Sequence, residues 1–280
     1  MKNKIQNIEQ IIRLALREDI SSGDITSNLI VPKSQMGKAE IIVKQKGIIC
    51  GLDIVSKICR HFDKEINFKK KVKEGSLVNP NTIVAELHGS FRSLLTIERT
   101  VLNFIQRMSG ISTETFRYVE QLSGLKTKIL DTRKTAPGQR LLDKYAVKTG
   151  GGKNHRIGLF DMILIKENHI AAAGSITKAV ELCRTKMKRK TKIEVEVSSI
   201  EDLKEALANK VDIIMLDNMD LETMKKAVEI IDHKSKVEAS GGITIDSIRK
   251  IALTGVDYIS VGAITHSVKA LDIAMYIHKV

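Results

Sequence analysis

The sequence predicts an α/β protein: an incomplete TIM-like α/β barrel of about six parallel βα units, with a smaller N-terminal α+β sandwich domain before it. Three observations predict this. Short apolar runs recur near residues 128–132, 162–165, 193–197, 213–216, 237–239 and 258–261, and stretches of helical 3/4 spacing separate most of them. Each run ends in a polar signature, which is where α/β enzymes keep their chemistry. Aromatic residues make up only 4% of the 280 residues and Trp is absent, so the core must be built from Ile, Leu, Val, Ala and Met, as parallel βα layers usually are.

The N-terminal part reads differently. Ile5, Ile8, Ile12, Ala15 and Leu16 recur at helical spacing and predict an opening helix over residues 3–18, which Ser21-Ser22-Gly23-Asp24 breaks. From residue 38 to 87 short strands alternate with turn signals such as Glu74-Gly75-Ser76 and Asn79-Pro80-Asn81. A helical stretch follows over residues 93–122, carrying Leu94, Leu95, Val101, Leu102, Phe104, Ile105 and Met108, and Gly110 predicts an interruption in it. We therefore divide the chain into residues 1–108 and 109–280, with a last helix over about 268–280 packing back on the first domain. Within the barrel, Ser199 can cap a helix presenting Ile200, Leu203 and Leu207. Thr244 can cap one presenting Ile245, Ile248 and Ile251. The remaining length cannot supply two further units, so the barrel stays short of eight.

A formal charge of +13 and a pI near 9.5 favour anionic partners. Lys69-Lys70-Lys71, Lys186 and the run 188–190 sit in segments that read as ordinary solvated surface. Neither an aromatic stacking platform nor a nucleic-acid motif accompanies them, which argues against a basic nucleic-acid-binding protein. Cys50, Cys59 and Cys183 are spaced too irregularly for a metal or redox motif, and an odd thiol count suits a reducing compartment. The N-terminus lacks the apolar core of a signal peptide and no apolar run is long enough to span a bilayer, so the expected location is the cytoplasm.

The densest information lies in residues 131–169, where eight Lys or Arg and two His stand against four acids, with Gly150-Gly151-Gly152 among them. Such a concentration of cations implies an anionic ligand. Arg133 and His155-Arg156 offer planar donors suited to carboxylates, whereas Arg140, Lys144 and Lys148 read as surface charges. Ser240-Gly241-Gly242, directly after a strand and before the helix expected at Thr244, can aim backbone N–H groups at a phosphate with help from the helix dipole. Gly262-Ala263 repeats the device one strand later, as in the phosphate cradles of phosphate-binding barrels. Glu196 and Asp217, on successive strand ends, could hold sugar hydroxyls or position Mg²⁺. They could equally pair with Lys166 or Lys134, and both readings can hold together.

These residues together resemble the quinolinate phosphoribosyltransferase family over nearly the whole chain. The resemblance is carried by Glu98-Arg99-Thr100, Thr132-Arg133-Lys134-Thr135, Gly151-Gly152 through Asn154-His155-Arg156, Glu194-Val195-Glu196-Val197, Leu216-Asp217-Asn218, Glu238-Ala239-Ser240-Gly241-Gly242 and the final Gly262 to Ser267. It implies phosphoribosyl transfer from phosphoribosyl pyrophosphate to quinolinate with loss of the 2-carboxylate. By the family pattern Arg99, Thr132, Arg133, Lys134, His155 and Arg156 bind quinolinate. Lys166, Glu196 and Asp217 serve the ribose and metal end, and Ser240, Gly241, Gly242, Gly262 and Ala263 cradle phosphate. Lys134, Lys166, Glu196 and Asp217 are the implied catalytic groups. Mg²⁺ is the implied cofactor, held mainly by substrate phosphates with Glu196 and Asp217 as the candidate protein ligands. Arg99 is implied to reach the neighbouring subunit's site, which makes a homodimer the smallest competent unit. Residues 21–24 depart from the family pattern and should alter a turn rather than the chemistry. A related phosphoribosyltransferase with another acceptor is disfavoured by the intact Arg133, His155 and Arg156 set. A Schiff-base aldolase on Lys166 would need a desolvated amine.

Overall fold

The computed structural model describes residues 2–187 and 191–280, the side chains of residues 2–7 apart. The side chain of Ile5 and the basic run 188–190 lie outside the described residues. Two compact units interleave along the chain: Met1–Phe116 with Thr135–Gly151 and Ile264–Val280 form one, and Arg117–Lys134 with Gly152–Ala263 form the other.

The first unit opens with helix α1 (Lys2–Ile20), whose Ile12 and Leu16 are buried as their spacing requires. The 21–24 segment turns the chain, and Asp24 then caps the short helix α2 (Ile25–Ile30), accepting the Ser27 N–H at 2.9 Å. Strand β1 (Met36–Val43), the short β2 (Gly47–Ile48), helix α3 (Leu52–Phe62), β3 (Asn67–Lys70), β4 (Leu77–Val78), β5 (Ile83–Ser90) and the long helix α4 (Phe91–Gln121) follow. Burial alternates along β1, so Ala39, Ile41 and Val43 face the core while Lys38 and Glu40 stand on the other side. Lys70 and Lys71 pair with Asp53 and Glu86, as solvated surface charges do.

Gly110 does not interrupt α4, which runs unbroken for 31 residues. A Cβ there would lie 2.3 Å from the Lys269 carbonyl oxygen, so the glycine allows another backbone to approach the helix. The expected break is corrected to a close-packing position.

The second stretch contains β6 (Lys128–Leu130), α5 (Arg140–Thr149), β7 (Ile163–Ile165), α6 (Glu167–Ala173), α7 (Ile176–Lys186), β8 (Ile193–Val197), α8 (Ile200–Ala208), β9 (Ile213–Asp217), α9 (Leu221–Ile231), β10 (Lys236–Ser240), α10 (Ile248–Ala252), β11 (Tyr258–Ser260), α11 (Ala263–His266) and β12 (Ile273–Lys279). All six predicted barrel strands form. They make one sheet in the order β6-β11-β10-β9-β8-β7, with every neighbouring pair parallel. The other edge of β6 meets Lys153, whose N–H donates to the Ile129 carbonyl at 2.8 Å and whose carbonyl accepts from Asp131 at 3.1 Å. Ser199 caps α8 by accepting the Asp202 N–H.

Three expectations need correction. Residues 268–280 were expected to be helical, but β12 is a strand pairing antiparallel with β1, in the sheet β12-β1-β5-β3. Alternating Ile273 and Met275 bury one face of it, the period of a strand rather than a helix. The helix expected from Thr244 begins only at Ile248, because the Thr244 and Ser247 hydroxyls close a turn with each other's backbone N–H groups. Lys144 is buried on α5 rather than displayed on the surface.

Candidate active site

Glu194 and Glu196 show how the barrel unit builds its site. Side chains two apart on a strand share a face, so both project from the same side of β8. In the parallel register Glu196 lies beside Met215 of β9, which lies beside Glu238 of β10, while Asp217 pairs with Ser240. Carboxylates from three strands therefore line one face. Their depth differs: Glu194 and Glu238 are completely buried, whereas the Glu196 side chain is 17% exposed.

His155 closes over the deep pair. Its Nε2 lies 2.9 Å from Glu194 Oε2 and 3.7 Å from Glu238 Oε2, and its ring is 8% exposed. Asp131, fully buried at the end of β6, accepts the His155 backbone N–H at 2.9 Å and the Asn154 side-chain amide at 2.5 Å. This explains the local sequence: Lys153 adds to the edge of β6, and the next two residues are tied to the acid ending that strand.

Burial pushes the Glu194 carboxyl up to about 7. Burial, and then the like charge of Glu194, push Glu238 up to about 8. Glu194 Oε1 and both Glu238 oxygens, with Ser260 Oγ, are buried without a hydrogen-bond partner. The imidazole nitrogen and the two carboxylates bring ligand-type atoms within 4.8 Å of one another. Arg156 and Lys166 act electrostatically on Glu194, but burial outweighs them.

Arg133 and Lys134 are exposed after β6, where the Lys134 N–H donates to the Thr132 hydroxyl at 3.0 Å. Arg156 donates to the Met162 carbonyl. Burial and the like charge of Arg133 both press down on the Arg156 pKa. Glu194 and Asp161 act in the opposite sense, so Arg156 sits between like and unlike charges.

At the mouth, Lys166 ends β7 and starts α6, and its ammonium meets the Glu196 carboxylate. The lysine side chain is 45% exposed, which removes the desolvation a Schiff-base amine would need. Asp217 accepts from the Asn218 amide at 2.8 Å. Gly241 and Gly242 follow β10 with φ of +100° and +58°. A Cβ on Gly241 would lie 2.2 Å from Asn218 Oδ1, while nothing lies within 4 Å of one on Gly242. The Ser240–Gly242 turn is thus packed beneath and open above. A pocket of about 570 Å³ adjoins it, lined by Met219, Leu221, Gly241, Gly242, Ser247 and Lys250. With α10 starting at Ile248 and only five residues long, the cradle is backbone geometry without a helix dipole. Gly262 and Ala263 lead from β11 into α11 and are half-buried.

Arg99 is exposed on α4. In the same unit, Arg107 grips the buried Asp143 with two hydrogen bonds of 3.0 and 2.8 Å, and Asp143 also accepts the Ala136 N–H. Sequence reasoning missed this anchor of the loop that follows Lys134, because one acid amid surface-like charges gives no periodic signal. Cys50 and Cys59 are free thiols pushed up to about 12 by burial, which rules them out as nucleophiles. No helix among the described residues is long and apolar enough to cross a membrane.

Comparison with known proteins gives a consistent result. Residues 24–109 match the model of the quinolinate phosphoribosyl transferase N-terminal domain, and residues 111–276 match that of its C-terminal domain. A probable nicotinate-nucleotide pyrophosphorylase (carboxylating) of Bacillus subtilis is 44% identical over 268 residues, 96% of this chain and 92% of that protein. The crystal structure of NadC from Streptococcus pyogenes superposes with a TM-score of 0.94 at 42% identity, covering 98% of this chain and 97% of that one. The nicotinate-nucleotide pyrophosphorylase of Francisella tularensis superposes with a TM-score of 0.93 at 45% identity, covering 98% and 96%.

Proposed function

The chain belongs to the quinolinate phosphoribosyltransferase family, and from that premise we propose how its side chains divide the work. The reaction is that of a decarboxylating pentosyltransferase: phosphoribosyl pyrophosphate and quinolinate give nicotinate mononucleotide, pyrophosphate and CO₂, in de novo NAD biosynthesis.

The observation that carries the assignment is the acid-backed histidine, with Arg156 next to it in the chain and Arg133 acting on Arg156 as a like charge. Quinolinate supplies two adjacent carboxylates, the anion such a cluster needs. Arg133, Lys134, His155 and Arg156 grip them, with Thr132 shaping the Lys134 turn. At the mouth, Glu196 and Asp217 accept from the ribose hydroxyls, Lys166 lies beside the leaving pyrophosphate, and Ser240, Gly241, Gly242, Gly262 and Ala263 receive phosphate oxygens. Glu196 and Asp217 are hard carboxylate donors on adjacent strand ends, a set that fits Mg²⁺ already carried by substrate phosphates. When bound, that ion supplies Lewis-acid stabilisation of the departing pyrophosphate.

In the transfer, the pyridine nitrogen gives its lone pair to ribose C1 as the C–O bond to pyrophosphate breaks with its electron pair. The sugar passes through oxocarbenium character, and the nearby cations stabilise the leaving charge. No protein nucleophile is required. The quaternised ring then accepts the electron pair released when the C2–carboxylate bond breaks. CO₂ leaves and C2 takes up a proton, with Lys134 or Lys166 stabilising the charge.

We place Arg99 in the neighbouring subunit's site of a homodimer, since it is exposed and makes no hydrogen bond or ion pair among the described residues. Mixing Arg99→Ala with Arg133→Ala subunits should then restore activity that neither variant has alone. A cytoplasmic location fits the absence, among the described residues, of a helix able to cross a membrane. The first test offers quinolinate, nicotinate and nicotinamide separately with phosphoribosyl pyrophosphate and Mg²⁺, following mononucleotide and CO₂. Turnover of quinolinate alone is expected. Turnover of nicotinate but not quinolinate would overturn the two-carboxylate pocket.

A further inference from the structure

Two buried acids remain without a task. Glu194 and Glu238 are sealed beneath His155, out of reach of any substrate that enters from the strand ends, and neither is part of the sites assigned above. Burying two carboxylates side by side is costly unless a cation or a proton meets them. Among the described residues, three of their four oxygens have no hydrogen-bond partner, which is a poor arrangement for stabilising a core. What they share is one face of His155.

We propose that Glu194 and Glu238 are positioning residues that hold His155 as a singly oriented imidazolium, with Nε2–H donated inward to Glu194 and Nδ1–H presented to a carboxylate of the acceptor. The inference rests on the reading of His155 as part of the quinolinate pocket. Nε2 is committed inward by the 2.9 Å contact, so a contact with the acceptor falls to Nδ1. The backbone of His155 is fixed independently by Asp131, which leaves the acid pair to govern the orientation and charge of the ring. The charged groups around the ring are Glu194 from β8, Glu238 from β10, Asp131 at the end of β6 and the neighbouring Arg156. Lys166 and Glu196 act on Glu194 from the mouth. A neutral imidazole could accept from a protonated acid behind it, but only an imidazolium can donate from both nitrogens at once.

The consequence is selectivity. A histidine held as a cation adds to the positive charge that a monocarboxylic acceptor leaves uncompensated, so the acid pair sharpens preference for the dicarboxylate without touching it.

The test uses the intact enzyme. In ¹⁵N-histidine-labelled protein at pH 7.5, with His155 assigned by comparison with His155→Ala, both ring nitrogens should show the shifts of protonated imidazolium. In the isosteric Glu194→Gln/Glu238→Gln variant the ring should be neutral at that pH. Its KM for quinolinate should rise at least tenfold, with KM for phosphoribosyl pyrophosphate within twofold. Lowering the assay pH toward 6 should recover part of the quinolinate KM, which a purely structural defect would not allow. A neutral His155 ring in the unmodified enzyme overturns the proposal whether or not the variant folds. So does an unchanged quinolinate KM in the double variant while His155→Ala raises it. If His155→Ala itself leaves that KM unchanged, the fault lies with the assignment of His155 to the acceptor pocket.

Discussion

Glu194 and Glu196 stand two residues apart on one strand, roughly 7 Å along it, and live in different solvents. The deeper one is sealed beneath a histidine and its carboxyl is pushed up to about 7, while the shallower one meets a lysine in contact with water. The same contrast separates the two halves of the site. On the side we assign to the acceptor, charge is packed into a dry floor and must be balanced group by group. On the side we assign to the phosphoribosyl group, more exposed side chains and bare backbone stand at the mouth. What covers a carboxylate, more than residue type, decides what it does here: Glu238, level with Glu196 in the register, is sealed as Glu194 is.

The largest effect that would test this contrast is expected at Arg133, which the proposed function assigns to the acceptor. Arg133→Ala should lower kcat/KM for quinolinate by about 10³-fold or more, since it leaves a substrate carboxylate without its bidentate partner. Use of nicotinate should fall far less. Equal losses for both acceptors in steady-state assays would mean that the residue is not reading the second carboxylate.

Next in size is a stability effect confined to the dry floor. Glu238 binds its proton more tightly folded, at about 8, than an ordinary carboxyl does near 4.5. The folded state therefore holds the extra proton between those values, and its stability is intact below about pH 4.5 and declines as pH rises through 8. Glu238→Gln removes the titration. The variant should match the unmodified protein near pH 4.5 and exceed it by about 4–5 kcal/mol at pH 8.5 in urea unfolding. If the unmodified protein were the more stable at pH 8.5, the charge of Glu238, and not only that of Glu194 beneath the imidazolium, would be compensated within the fold.

The two halves also differed in how far the sequence revealed them. The mouth was readable: strand ends, Lys166, Glu196, Asp217 and the Ser240–Gly242 turn all announce themselves by following apolar runs. The floor was only partly readable. Glu194 and Glu238 were visible as strand-end acids, but period-2 alternation cannot tell which member of a same-face pair lies deep, because depth depends on strand stagger and on what covers the sheet. Asp131 ties the His155 backbone N–H from 24 residues away and Asp143 is held by the Arg107 side chain from 36 residues away, links that leave no local pattern. Gly110 and the C-terminal strand misled for a related reason. A glycine under a crossing backbone looks the same in sequence as one that ends a helix, and seven residues of mixed polarity do not separate a strand from a helix.

A smaller effect is expected at the phosphate turn. Gly241→Ala sets a Cβ against Asn218 at φ +100°, so a stability loss of about 2 kcal/mol is expected, with KM for phosphoribosyl pyrophosphate raised several-fold. Gly242→Ala meets open space at φ +58° and should lose about 1 kcal/mol or less while still raising that KM, because its Cβ occupies room meant for phosphate. If Gly242→Ala bound phosphoribosyl pyrophosphate normally, the cradle would have to be built elsewhere, and the Gly262–Ala263 turn would be the next place to look.

The smallest stability effect belongs to the pair that looks strongest on paper. The Lys166 ammonium and Glu196 carboxylate are in direct contact, yet the lysine is nearly half exposed and water screens the pair. Exposed pairs of this kind contribute about 0–1 kcal/mol, and less as salt is added. Lys166→Gln should therefore change unfolding stability by no more than about 0.5 kcal/mol at 0.15 M salt, while turnover of quinolinate collapses if Lys166 has the proposed role beside the leaving pyrophosphate. A stability loss of several kcal/mol, insensitive to salt, would show that the mouth is as dry as the floor. The division by depth along β8 would then fail, and the two glutamates would have to be treated as one buried network.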